Sequence, residues 1–211
     1  MSFTGSEGEA VLSWTEAVAR IGRMLAEHRP SLYPTEEWDD LIDIRISKLS
    51  LDGAGADSGK GDDGQAVKSV LHLWNESLDL SHELSQDMHT PLGSCLHGIM
   101  HRMEGDYSNA KYWFRQAGSL PVHSSLLEQA KALFPIGDGE RIGSVTLRSQ
   151  LERLVSASAW DSLLFVDAIA HQVTVAHDAA AEELLLELQW AELKLLLQYA
   201  IQQSGGESLE L

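Results

Sequence analysis

The segment Leu184-Leu185-Leu186-Glu187-Leu188-Gln189-Trp190-Ala191-Glu192-Leu193-Lys194-Leu195-Leu196-Leu197 sits inside a run from Asp178 to Gln203 that contains neither glycine nor proline. Leucine, alanine and glutamate are strong helix formers, so the run reads as one long helix. Its polar positions Glu183, Glu187, Lys194 and Gln198 follow one narrow stripe, and most of the remaining girth is apolar. Such a helix lies at the centre of a bundle or is shared between two copies of the chain, because an ordinary surface helix is apolar on one side only. A membrane span is disfavoured by Glu187, Glu192 and Lys194 in its middle, where a charge is costly to bury in hydrocarbon.

Working outward from this helix, three- and four-residue apolar spacing recurs along the chain. Val11, Trp14, Val18, Ile21 and Leu25 make the first stripe, with Ser13 and Glu16 at capping-box spacing. After Pro30 and Pro34, Thr35 is the expected cap of a second helix with the stripe Trp38, Leu41, Ile42, Arg45 and Leu49. Val67, Val70, Leu71, Trp74 and Leu78 form a third stripe. Thr90-Pro91 opens a helix running to about Glu104, and Ser108 is the expected cap of a short helix ending at Gly118. Further helical pieces are expected from Pro121 through Phe134, around Leu147 to Val155, and from Trp160 to His171. No convincing alternating strand, repeat or phosphate-binding glycine loop is present. The expected architecture is an all-α, single-domain multi-helix bundle of about seven to nine helices with a largely buried C-terminal helix. The domain is expected over residues 1–203, with a flexible acidic Gly/Asp loop at 52–64 and a disordered tail at 204–211. The loop's aspartates fit neither an EF-hand nor a glycine-rich calcium repeat.

The 211 residues carry a formal charge of -17. That charge, with no cluster of Lys and Arg, argues against nucleic acid and anionic membrane as partners. Cys95 is the one cysteine, so no disulfide forms within the chain, and the N-terminus lacks the pattern of a signal peptide. A soluble, cytoplasmic protein is expected.

Function concentrates between His97 and Arg115. On a helix, His97, His101 and Glu104 share one face, opposite the apolar stripe Leu92, Cys95, Leu96, Ile99 and Met103. The other residues on that face are Thr90, Gly93 and Ser94, small where a solvated face would carry long charged side chains. Two imidazoles and a carboxylate suit a divalent transition metal or an acid–base pair. His97, His101 and Glu104 are therefore the candidate catalytic groups and the candidate metal ligands. A zinc-protease helix would need Glu immediately after the first His, and position 98 is Gly. His82 extends the third stripe through Ser81 and Ser85, and a turn over Asp87 to Pro91 is expected to bring it, though not His89, beside His97 and His101. Arg102 and Arg115 are candidates for holding a substrate carboxylate or phosphate, with Tyr112 and Trp113 as stacking walls. Asp106 is a candidate ligand contact whose simpler role is a helix cap, and Asn109 reads as part of the same turn.

The block His97-x-x-x-His101-Arg102-x-Glu104-Gly105-Asp106-x-x-Asn109-Ala110-Lys111-Tyr112-Trp113, with Ser81-His82 upstream, resembles the signature HxxxHRxEGDxxNAxYW of a family of bacterial and fungal helical proteins to which no activity is attached. The resemblance spans about Leu73 to Gly118 and implies where function lies, not what it is. Two readings follow. In the first, the protein binds a small molecule, as a carrier or an enzyme, in a pocket lined by His82, His97, His101 and Glu104 and supported by Arg102, Asp106, Trp113 and Arg115. In the second, the same residues are a structural network of a non-catalytic scaffold, and the last helix docks a partner or a second copy.

Overall fold

A computed structural model describes residues 13–51, 62–135 and 138–209. Among them are ten α-helices and no strand. They are α1 (Trp14–Leu25), α2 (Asp40–Ser47), α3 (Asp62–Trp74), α4 (Leu78–Ser85), α5 (Pro91–Met103), α6 (Tyr107–Ala117), α7 (Val122–Leu133), α8 (Val145–Ser156), α9 (Ser162–His171) and α10 (Ala179–Gln203). No helix of the described residues is long and apolar enough to cross a membrane. Val11 and residues 52–61 of the expected acidic loop lie outside the described residues; Asp62 to Gly64, also assigned to that loop, form the first turn of α3.

Helix α10 is apolar around most of its girth because its two halves serve two cores. Leu193, Leu196, Leu197, Ala200 and Ile201 pack with α1, α2, α3, α5 and α6. Ala181, Leu185, Leu188 and Ala191 pack with α7, α8 and α9. Burial at about 25 cal/mol per Å2 of apolar surface makes each half a major stabilising term. The apolar girth is thus used within the chain. At the seam between the cores lie two polar side chains, Gln189 and Glu192, that are both buried. Glu192 Oε2 accepts a hydrogen bond from Arg102 Nη2 at 2.5 Å, and Gln189 Nε2 donates to the carbonyls of Pro30 and Ser31. The Arg102 guanidinium also sits 4.8 Å from the centre of the Phe165 ring.

Several expected local features differ. Asp39, not Thr35, caps α2, accepting from Leu41 N–H at 2.8 Å. The shift in start turns Ile42 and Ile46 inward and leaves Trp38 and Leu41 exposed. Of the two caps expected for α6, Asp106 is the one used and Ser108 falls inside the helix. The third stripe is split into α3 and α4 at Glu76, whose φ is +64°. A polar cluster holds that break. Asp43 accepts from Asn75 Nδ2 and Ser77 Oγ and pairs with His72, while Glu76 accepts from Ser31 N–H at 2.8 Å. Residues 204–209, read as a disordered tail, turn back along α10, where Leu209 N–H donates to Gln198 Oε1 at 2.9 Å.

Removing one partner of the buried pair should be far worse than removing both, since it strands a charge in the core. Glu192→Leu is expected to lower unfolding free energy by about 3–5 kcal/mol in urea titration. The double variant Arg102→Met with Glu192→Leu should recover most of that loss. A double variant as unstable as the single would show that the pair is not an isolated unit.

Candidate functional site

The site grows from the hairpin of α5 and α6. Thr90 caps α5, its Oγ1 accepting from Gly93 N–H at 3.0 Å, and Pro91 occupies the first turn, where no N–H is needed. Gly98 lets α6 approach closely: a Cβ there would lie 3.2–3.3 Å from the Phe114 ring and the Ala110 carbonyl. At the far end, Gly105 has φ +88° and faces Tyr33, whose ring a Cβ would meet at 2.9 Å. Glycine is the residue such a corner accepts without strain. Asp106 then starts α6 by accepting from Asn109 N–H at 3.0 Å.

This geometry brings three imidazoles together. His97 and His101 stack with ring centres 4.6 Å apart and planes inclined by 25°. His82, from α4, meets both edge-on, at 4.9 Å and 5.8 Å. One ligand atom from each of the three lies within 4.8 Å of the others. His89 is exposed and belongs to neither metal-type cluster of the described residues. Trp113 lies flat on the other face of the stack, 4.2 Å from His97 and inclined by 12°. It is half-buried, a wall of the site rather than core.

Glu104 is on the shared face but stands apart from the imidazole triplet. Its Oε1 lies 2.5 Å from His101 Nδ1, and with His101 and Asp106 it makes a second, more exposed group of ligand-type atoms. Asn109 Nδ2 donates to His101 Nε2, at 2.9 Å. His101 thus carries its proton on Nδ1, toward Glu104, and presents a lone pair at Nε2. Its sequence context marks Asn109 as a turn residue, and the contact with His101 is what the fold adds. Its role depends on Asp106, whose cap on the Asn109 backbone aims the amide across Gly105 at a ring eight positions earlier.

The two arginines are not in the cluster. Arg102 points away from it into the seam with α10 and is wholly buried against Glu192. Arg115 is exposed and lines a separate surface cleft with Gly118, His123 and Trp160. Cys95 is buried in the apolar core, where burial pushes its thiol well above the usual range. A thiolate is therefore excluded as a nucleophile at neutral pH.

Burial, followed by the neighbouring His101 and His82, pushes His97 down to a pKa of about 4. It is a neutral ring at neutral pH. Its Nδ1 is buried and has no hydrogen-bond partner among the described residues. Comparisons with family models, with curated proteins and with solved structures returned no match, so what the site can do rests on its own geometry.

In metal-free protein, the His97 ring should titrate near pH 4 by NMR. Between that value and the unfolded value of about 6.5, the unfolded chain binds a proton that the folded one refuses. Stability should therefore be full above pH 6.5 and fall as pH drops toward 4. His97→Gln should flatten that fall in part. His72 and His123, which burial also holds low, contribute in the same direction, and Asp178, held low by backbone N–H groups, adds to the loss at the acid end. Titration of His97 at 6.5 or above would contradict the geometry.

Proposed function

We propose that the protein binds a divalent transition-metal ion between His82, His97 and His101, with a coordination position left for a small molecule. The observations that carry this reading are the unpartnered Nδ1 of buried His97 and the grouping of its ring with those of His82 and His101, one ligand-type atom of each lying within 4.8 Å of the others. A buried polar atom without a partner costs about 1–3 kcal/mol, which a ligand at that atom would relieve. Zinc–nitrogen bonds of about 2.0–2.1 Å in a tetrahedral site hold nitrogens about 3.4 Å apart, so a set now within 4.8 Å closes on an ion when His97 and His101 turn out of their face-to-face stack. Neutral imidazole is the form that ligates, and His97 is neutral without having to release a proton. Glu104 on His101 Nδ1 supplies the carboxylate–histidine support that fixes a ligand's tautomer. For His101 to ligate, the Asn109 amide turns away from Nε2, which frees it to bond a water or ligand on the metal.

Three neutral nitrogen donors and an open position are the pattern of a catalytic rather than a structural metal site. A cleft of about 520 Å3 reaches Glu104 from the α2 side, although none of the three imidazoles lines it. In an enzyme of this design, His82, His97 and His101 would hold the metal. Glu104, at the rim, acts through His101 or moves a proton. The second reading is a structural network, favoured by the fact that both ring nitrogens of His101 already have protein partners.

The test is a titration of tag-free, chelator-treated protein with Co(II), read by visible absorption, in wild type, His82→Asn and His97→Ala. The metal reading expects one ion per chain and affinity reduced at least about tenfold in each variant. It also expects nearly unchanged melting of metal-free His82→Asn, because that side chain is only partly buried. The network reading expects no saturable binding, with His101→Ala costing about 1–3 kcal/mol through the stranded partners Glu104 and Asn109.

A further inference from the structure

The cleft that Arg115 lines has a volume of about 430 Å3 and is walled by α6, the start of α7 and the segment leading into α9. None of the three clustered imidazoles borders it. A pocket of this size takes a small organic molecule when a few polar groups converge on apolar walls. Phe114, Trp160 and Leu163 supply the apolar walls. Trp160 is fixed in place, its ring edge-on to Phe165 with centres 5.0 Å apart.

The polar groups are mainly donors. His123 lines the cleft and is only 6% exposed. Its Nδ1 accepts from the Leu120 N–H at 3.2 Å, so the neutral ring carries its proton on Nε2. Burial favours that neutral form. Nε2 has no hydrogen-bond partner among the described residues, and it is not sealed from solvent. The Nε1–H of Trp160, a side chain 9% exposed, also lacks a partner among them. Buried N–H groups without an acceptor are costly, and a bound oxygen atom relieves that cost. Arg115 brings an exposed guanidinium to the same cleft, with no ion pair among the described residues. Asp161 is the one carboxylate of the lining, and its Oδ1 already accepts from the Leu163 and Leu164 N–H groups. Glu192, near enough to act on His123, is taken up by Arg102.

We infer that this cleft binds a small monocarboxylic acid with an apolar body. The carboxylate pairs with the Arg115 guanidinium, whose planar fork matches it, and accepts from His123 Nε2–H. The body lies against Phe114 and Trp160. One guanidinium balances one negative charge, whereas a phosphate dianion would set surplus charge beside Asp161. An uncharged ligand would leave the guanidinium unused. The inference is independent of metal binding.

The probe is phenylacetate, titrated into the isotope-labelled full chain and followed by NMR. Saturable shifts of the Trp160 indole N–H and of the backbone amides over residues 118–123 are expected, half-complete at about 1 mM or below. Phenylacetamide keeps the shape without the charge, and inorganic phosphate keeps the charge without the body. Each should bind at least about tenfold more weakly. Arg115→Gln should weaken phenylacetate at least about tenfold, and because the side chain is exposed the fold should be kept. Arg20→Gln, at an exposed position of α1, should leave binding unchanged. His123→Phe, which keeps the bulk and loses the N–H, should weaken it too. Equal affinity for phenylacetamide, or no effect of Arg115→Gln, would overturn the proposal in favour of a merely apolar crevice. Tighter binding of phosphate would overturn it in favour of a phosphate site. Shifts confined to the cluster of His82, His97 and His101, or no shifts at all, would overturn it outright.

Discussion

The buried pair of Arg102 and Glu192 is the constraint on which the rest of the site depends. Two charges taken out of water are tolerated when they meet each other and find further polar or aromatic company. Here Arg102 Nη2 meets Glu192 Oε2, with Gln189 at 3.4 Å and the face of Phe165 beside it, while Arg102 Nε and Nη1 and Glu192 Oε1 find no partner among the described residues. Because successive helical residues differ by about 100°, fixing Arg102 toward α10 fixes the rotation of α5. His101 is thereby turned toward α4 and α6, and His97 follows one turn earlier. The pair lies where the two apolar halves of α10 change partners, so the same contact joins both cores to the imidazole cluster.

From that rotation, the cluster is completed by short-range rules. A left-handed glycine closes the corner, an aspartate caps the next helix, and the capped residue, Asn109, reaches back to His101. Glu104 holds the other nitrogen of that ring. Trp113 covers His97 face to face, which excludes water from one side and contributes to the depressed basicity of the ring. The outcome is a ring that stays neutral when buried, beside one whose tautomer is set by hydrogen bonding. That combination suits ligation better than proton storage.

Most of this fold is legible in the amino-acid sequence because helical periodicity is a local signal. The all-α architecture, the central last helix, the capping box at Ser13, the Thr90-Pro91 start and the approach of His82 to His97 and His101 are all readable there. What escapes is long-range or conformational. The third stripe continues in period across Asn75 to Ser77, but the polar partners that stabilise a left-handed Glu76 come from α2 and the Ser31 segment. Glu192 looks like one more polar residue on α10 until Arg102, ninety positions earlier, is placed beside it. Arg102 in turn looks like a ligand-binding group because its sequence neighbours are His101 and Glu104, although a step of one residue sends it to another face. Trp38 and Leu41 look like core because their spacing is helical, and only the true start of α2 at Asp40 turns them outward.

The proposed transition-metal ion would be held by three imidazoles of α4 and α5. X-ray absorption at the zinc edge of the tag-free, zinc-loaded full chain tests it most directly. The account predicts a first shell of low-Z nitrogen and oxygen scatterers at about 2.0–2.1 Å, with outer-shell scattering of three imidazole rings, reduced to two rings in His82→Asn. A spectrum without imidazole scattering, or one unchanged by loss of His82, would contradict it.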